Sequence, residues 1–214
     1  MSEDLTARRD DTVDPSLDLP GNYPGHLARD VRSINGEVLH LRPIRPSDAH
    51  LLVEFHHTLS PDSIYRRYFS LKPELSDAEV AHLTQVDYVD RFAFIVESDD
   101  GLVGVGRFDR IPGTTEAEAA FIVSDKYQHQ GIGLMLLYNL ADAARPLGIT
   151  TFTAETQADN RSMMGVFEAS GFPVSAHIDD EVITATFSIK ENDQSIITRA
   201  RRRLIAYGAD EELT

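Results

Sequence analysis

The 214-residue chain contains no cysteine and no tryptophan. The absence of cysteine excludes disulfide bonds, thiolate catalysis and zinc sites built on cysteine ligands. No apolar run approaches the roughly 20 residues that a membrane-spanning helix needs, and the first residues, MSEDLTARRDD, lack the pattern of a secretory signal. We therefore expect a cytoplasmic protein that makes no use of a membrane.

Basic residues are also scarce. The sequence has 20 Lys and Arg but 35 Asp and Glu, which gives a net charge of −15. This excess of acid disfavours nucleic acid as the main partner, because phosphate binding needs clustered basic side chains. The two basic clusters, Arg66-Arg67 and residues 199–203, are interpreted as solvated helix faces rather than as sites for an acidic protein or an adenosine 3′-phosphate. No metal is expected, because the neighbouring pair His56-His57 would point in different directions on a helix.

The length predicts one domain with two tails. Residues 1–25, which are rich in proline and glycine, predict a flexible N-terminal arm, and residues 26–190 predict the folded domain. Residues 191–214 form a C-terminal tail that is either an exposed helix or disordered.

Strands and helices alternate along the folded domain. Strand-like patterns cover residues 37–43, 92–97, 102–109, 116–124, 150–156, 172–176 and 182–189. Helical patterns follow the first strand and separate the strands after residue 124. This order predicts an α/β (α+β) fold with a mixed sheet of six or seven strands flanked by helices.

The strongest local signal is the loop Gln128–Gly133, which joins a strand to a helix. Gly131 and Gly133 allow backbone N–H groups to approach a ligand closely, and the helix N-terminus adds unpaired N–H groups and a positive dipole end. The loop is neither a P-loop, since no Lys-Ser or Lys-Thr follows the glycines, nor a dinucleotide fingerprint, since Leu136 fills the third glycine position. It predicts a phosphate site of another kind.

Three stretches together resemble the GNAT superfamily of N-acetyltransferases over about residues 37–189. The matching residues are Gln128-x-x-Gly131-x-Gly133, then Asn160, Phe167 and Gly171-Phe172, and, for the first strand and helix, Arg42–Ala49. The resemblance implies the GNAT fold, in which two central strands splay into a V at the acetyl-CoA site. It also implies acetyl-CoA as the co-substrate.

The resemblance assigns a set of residues to acetyl-CoA binding. They are Ile122, Val123, Gln128, His129, Gln130, Gly131, Ile132, Gly133, Leu134, Asn160 and Phe167. Asn160 suits a helix N-cap equally well. Phe167 stands where many members of the family have a tyrosine that protonates the leaving thiolate, so no general acid is assigned.

A narrower resemblance points to the acceptor. Leu59–Phe69, Val86–Tyr88 and Glu118–Phe121 look like bacterial protein lysine acetyltransferases of the Pat type, which typically acetylate AMP-forming acyl-CoA synthetases. It implies a protein with a reactive lysine as partner and Glu118 as general base.

A base is useful because a lysine with a pKa of ~10.4 is almost fully protonated at pH 7. Glu116 and Glu118 share one face of their strand, and Glu118 adjoins the apolar run Ala119–Val123. We therefore expect Glu118 to be the better buried of the two. Two alternatives remain open, namely acetylation of a small amine and a non-catalytic acyl-CoA-binding module, the latter mildly favoured by Phe167.

Overall fold

The computed structural model describes residues 19–207. Most of the predicted arm and the last residues of the predicted tail lie outside this range. The strands are β1 (Arg29–Arg32), β2 (Val38–Pro43), β3 (Arg91–Ser98), β4 (Gly101–Arg110), β5 (Glu116–Val123), β6 (Thr151–Gln157), β7 (Val174–Asp179) and β8 (Val182–Ser188). The α-helices are α1 (Ala49–Thr58), α2 (Pro61–Tyr68), α3 (Asp77–Thr84), α4 (Ile132–Ala144), α5 (Arg161–Ala169) and α6 (Asp193–Tyr207).

The eight strands form one sheet in the order β1-β2-β3-β4-β5-β6-β8-β7. The mixed α/β class is confirmed, with one strand more than the six or seven expected. The additional strand is β1, which pairs with β2. Its sequence RDVR buries only Val31, so it shows no hydrophobic alternation.

The centre of the sheet opens into the expected V. β5 and β6 are parallel, and their pairing ends at Glu118 and Thr153, although β5 continues to Val123 and β6 to Gln157. On its other edge β5 stays paired with β4 as far as Val123. One edge of β5 beyond Glu118 therefore faces the gap instead of another strand.

Helices cover both faces of the sheet. Gly104 and Gly106 of β4 let α4 lie close, because a Cβ at Gly106 would be 3.1 Å from the Cβ of Leu136. The alternate residues of β4 face the opposite side, where Val105 lies near Leu52 of α1. Two layers of helices thus enclose the strands that carry the gap.

The tail after β8 is helical over Asp193–Tyr207 and packs against α4. Arg199 makes a two-point ion pair with Asp142 of α4, with Nη1 to Oδ1 at 2.9 Å, and Ser195 is buried. The interpretation of residues 199–203 as a solvated face is therefore wrong for Arg199. Among the helices within residues 19–207, none combines the length and apolar character required to cross a membrane.

Candidate active site

A cavity of about 870 Å³ occupies the gap between β5 and β6 and extends to the loop after β5. Its size falls in the range typical of ligand sites. Every predicted site residue except Gln130 lines it: Glu118, Ile122, Val123, Gln128, His129, Gly131, Ile132, Gly133, Leu134, Asn160 and Phe167. Among residues 19–207, no group of three or more His, Asp or Glu side chains is placed to hold a metal ion.

The loop end of the cavity is shaped by its glycines. Gly131 is the N-cap of α4 and has a φ of 77°, in the left-handed region that favours glycine. A Cβ at this position would lie 3.0 Å from Cγ2 of Ile34. Gly133 approaches Val166, whose Cγ2 would be 3.2 Å from an added Cβ. The two glycines thus let Ile34 and Val166 pack closely against the first turn of α4, which carries unpaired N–H groups and lines the cavity.

The two glutamines of the loop behave differently. Gln128 faces the cavity and donates from Nε2 to Oγ of Ser63 at 3.1 Å. Gln130 turns away from it and donates from Nε2 to the carbonyl oxygen of Lys126 at 3.0 Å. The structure therefore does not bring Gln130 together with the other predicted cofactor-binding residues, because its side chain closes the turn that precedes the helix.

Asp125 joins the loop to α2. Its carboxylate accepts hydrogen bonds from N and Oγ of Ser60, at 2.9 and 2.8 Å, and from Oγ of Ser63 at 2.8 Å. Burial raises the pKa of Asp125, but the hydrogen bonds from Ser60 and Ser63 outweigh it and hold that pKa below its ordinary value. The loop and α2 are therefore fixed relative to each other by an ionised carboxylate.

The other end of the cavity contains Glu118. Glu118 is exposed, as is Glu116, so the structure does not bury Glu118 beneath the apolar run that follows it. The reason is the strand's alternation, since Ala117 and Ala119 take the buried face. Glu118 nevertheless lines the cavity, while Glu116 does not. It is also the last residue of β5 that pairs with β6, which places it at the apex of the V.

Arg67 of α2 adds a positive charge to this end of the cavity, so its interpretation as part of a solvated helix face is wrong. Its guanidinium lies 5.1 Å from the ring centroid of Tyr68. Burial lowers the pKa of Arg67, and the charge of Glu118 acts in the opposite direction. The spacing of Ser63 and Arg67, one helical turn apart, could have indicated that α2 presents a polar face to the site.

Asn160 and Phe167 lie where α5 meets the cavity. Oδ1 of Asn160 accepts from N of Met163 at 3.1 Å, which confirms the helix N-cap, and its Nδ2 donates to Oγ1 of Thr156 at 2.9 Å. Phe167 is 1% exposed and packs with its ring centroid 5.2 Å from that of Phe187. It therefore belongs mainly to the core and offers no proton.

A parallel strand pair that splays beside a glycine loop at a helix N-terminus defines the class of acyl-CoA-dependent N-acetyltransferases. Comparison with known proteins agrees. The model of the Acetyltransferase (GNAT) family matches residues 59–172, and the chain belongs to this family. It is thus an acetyltransferase by family, and the donor that the family uses is acetyl-CoA.

Individual relatives are also similar over most of the chain. Acetyltransferase Pat of Mycolicibacterium smegmatis is 31% identical over 178 residues, which are 75% of this chain and 53% of that protein. Acetyltransferase PA5475 of Pseudomonas aeruginosa is 30% identical over 150 residues, 68% of this chain and 81% of that protein. Among solved structures, the GNAT domain of S. lividans PAT is 34% identical, with a TM-score of 0.74, covering 78% of this chain and 99% of that one. The chain spans about half the length of the M. smegmatis relative, 53%.

Proposed function

We propose that the protein transfers the acetyl group of acetyl-CoA to the ε-amine of a lysine on a folded protein, and that this acceptor is an AMP-forming acyl-CoA synthetase. The observation that carries the proposal is the position of Glu118 at the apex of the V, in the same cavity as the glycine loop. The similarity to two proteins named Pat supports a protein acceptor.

The donor would bind along β5. The N–H groups at the start of α4, beside Gly131 and Gly133, suit the diphosphate of CoA. The edge of β5 at Ile122 and Val123 is not paired with β6, so its backbone groups are available to the pantetheine arm. Asn160 lines the cavity at the start of α5 and keeps Thr156 and the helix in place beside it.

The chain's own residues favour direct transfer. With no cysteine in the sequence, no thiol is present to form an acyl-enzyme. The lysine nitrogen attacks the thioester carbon, the new C–N bond forms and the C–S bond breaks. Glu118 takes the proton lost by the ammonium, through a water molecule because its carboxylate is exposed. Backbone N–H groups near Val123 would polarise the carbonyl. Phe167 cannot protonate the thiolate, which leaves as the anion or takes a proton from water.

The test is transfer of isotope-labelled acetyl groups to a purified AMP-forming acyl-CoA synthetase and, in parallel, to a panel of free amines. Mass spectrometry should find the label on a synthetase lysine. The Glu118→Gln variant should transfer far less, whereas Glu116→Gln, which changes an exposed carboxylate on the same strand face outside the cavity, should match the wild type.

Three other outcomes would contradict the proposal or a part of it. Label that appears only on a free amine would make the protein a small-molecule acetyltransferase. Tight binding of acetyl-CoA without transfer to any acceptor would favour a non-catalytic acyl-CoA-binding module. Wild-type activity in Glu118→Gln would show that Glu118 takes no part in the reaction.

A further inference from the structure

The C-terminal helix α6 reaches the glycine loop although it lies beyond residues 59–172, which the family model matches. Nη2 of Arg202 donates a hydrogen bond to the carbonyl oxygen of Gly131 at 3.1 Å. The contact is close, because a Cβ on Gly131 would lie 3.4 Å from the same nitrogen. A residue 71 positions along the chain therefore touches the N-cap of α4.

Several contacts fix α6 in this position. Arg199 pairs with Asp142, and its guanidinium lies 5.2 Å from the ring centroid of Tyr138. At the start of the helix, Gly171 leaves no room for a side chain, since a Cβ there would be 2.8 Å from the carbonyl oxygen of Gln194. Arg199 and Arg202 are three residues apart and so share the face that meets the domain.

The neighbouring arginines provide a contrast. Arg201 and Arg203 are exposed, whereas Arg202 is partly buried. The interpretation of residues 199–203 as a solvated face thus holds for two of these arginines and fails for Arg202. The helical period turns Arg201 away from the contact face, whereas Arg203, four residues after Arg199, is exposed although it lies near that face.

Arg202 lies beside the N-terminus of α4. The N-terminus of a helix carries partial positive charge, so a cation beside it is normally unfavourable. Gly131 is the N-cap of α4, and its carbonyl oxygen already accepts the first helical hydrogen bond, from N of Met135 at 3.0 Å. An anion bound at the first turn of α4 would reverse the sign of the interaction and make both positive charges favourable.

We propose that α6 is part of the acetyl-CoA site and that Arg202 is a positioning residue for the diphosphate of CoA. Through its hydrogen bond, Arg202 keeps the carbonyl group of Gly131 away from the cavity, so that the N–H groups of the first turn of α4 face the diphosphate. Arg202 also adds local positive charge in a chain whose net charge is −15. That net charge opposes the approach of an anionic ligand, so attraction must be local. This inference rests on the proposed binding of acetyl-CoA at this loop.

The experiment compares Arg202→Ala with Arg201→Ala and Arg203→Ala, which remove the same charge from the same helix. Calorimetry with CoA should show roughly tenfold weaker binding for Arg202→Ala and a change of less than about twofold for the two controls. In steady-state kinetics the KM for acetyl-CoA should rise by the same factor while kcat stays unchanged. Arg202→Lys should recover part of the affinity, because it keeps the charge without the guanidinium geometry.

A donor without the diphosphate separates positioning from general support of the fold. With acetyl-pantetheine, kcat/KM should be equal for the wild type and Arg202→Ala. The cysteine-free chain also cannot form mixed disulfides with CoA, so the calorimetry is free of that side reaction.

The outcomes are distinguishable. If Arg202→Ala binds CoA like the two controls, or loses as much with acetyl-pantetheine as with acetyl-CoA, the role of Arg202 is refuted and the proposed function stands. If the wild type binds no CoA at all, the proposed function fails and this inference fails with it.

Discussion

The Glu118→Gln variant tests the proposed chemistry most directly, because it keeps the size of the side chain and removes only the carboxylate. With a lysine pKa of ~10.4, about one acceptor amine in 2,500 is neutral at pH 7. General bases contribute ~10²–10⁴-fold. Glu118 is exposed and would act through water, so we expect the lower end of that range, a loss of about 100-fold in kcat/KM at pH 7.

The loss should depend on pH in a defined way. Without the base, only the neutral amine reacts, and its fraction rises tenfold per pH unit below the lysine pKa. The rate of Glu118→Gln should therefore rise with a slope near one on a logarithmic scale, while the wild type changes less. If the kcat/KM of Glu118→Gln is about 100-fold below that of the wild type at pH 7, the difference disappears over about two pH units. The pH profiles of the two proteins should therefore meet near pH 9.

The assay is kcat/KM for the acceptor between about pH 6.5 and 9.5, at saturating acetyl-CoA. Glu116→Gln serves as the matched control and should follow the wild type throughout. CoA affinity, measured separately, should be the same in all three proteins. A loss in Glu118→Gln that stays constant across the pH range, or no loss at all, would refute the role of Glu118 as general base.

Three further predictions concern stability. Asp125→Asn, which weakens the hydrogen bonds to Ser60, should cost about 1–2 kcal/mol in urea unfolding at pH 7. Because the pKa of Asp125 is lowered in the folded state, the difference should disappear as the pH falls below about 3.9, and a pH-independent difference would contradict the assignment. Asp48→Asn breaks a buried ion pair with Arg42, whose side chains are 7% and 8% exposed, and should cost about 3–5 kcal/mol by the same assay; a loss well under 1 kcal/mol would contradict it. Burial raises the pKa of Tyr88 to about 12. The wild type should therefore lose stability relative to Tyr88→Phe as the pH rises from about 10 to 12, and parallel alkaline unfolding curves would argue against this shift.

The features predicted from sequence are those that depend on neighbours along the chain. The glycines at the strand-to-helix junction predict a close approach of the backbone there, and Gly131 does adopt a left-handed φ. The N-cap at Asn160 follows from an amide side chain just before a helical pattern. The V between β5 and β6, in contrast, came from the family resemblance, since no local pattern marks where two parallel strands stop pairing.

The features that sequence reasoning missed or placed wrongly depend on distant parts of the chain. Ser60 meets Asp125 across 65 positions, and Arg202 meets Gly131 across 71. Each contact involves a polar or charged side chain, whose position in the sequence does not reveal which partner it will find. Glu118 was expected to be better buried because of the apolar run after it, but alternation assigns burial to its two neighbours instead.

Helix α2 links the two ends of the cavity. Near its N-terminus Ser63 contacts Gln128 and Asp125 of the loop, and one turn later Arg67 lies near Glu118. One turn of helix spans only about 5.4 Å, so a shift of α2 moves both groups together. Loss of the Asp125 contacts should therefore raise the KM of acetyl-CoA and of the acceptor alike, although Asp125 is not among the residues that line the cavity. Unequal effects on the two KM values would show that the two ends of the site are positioned independently.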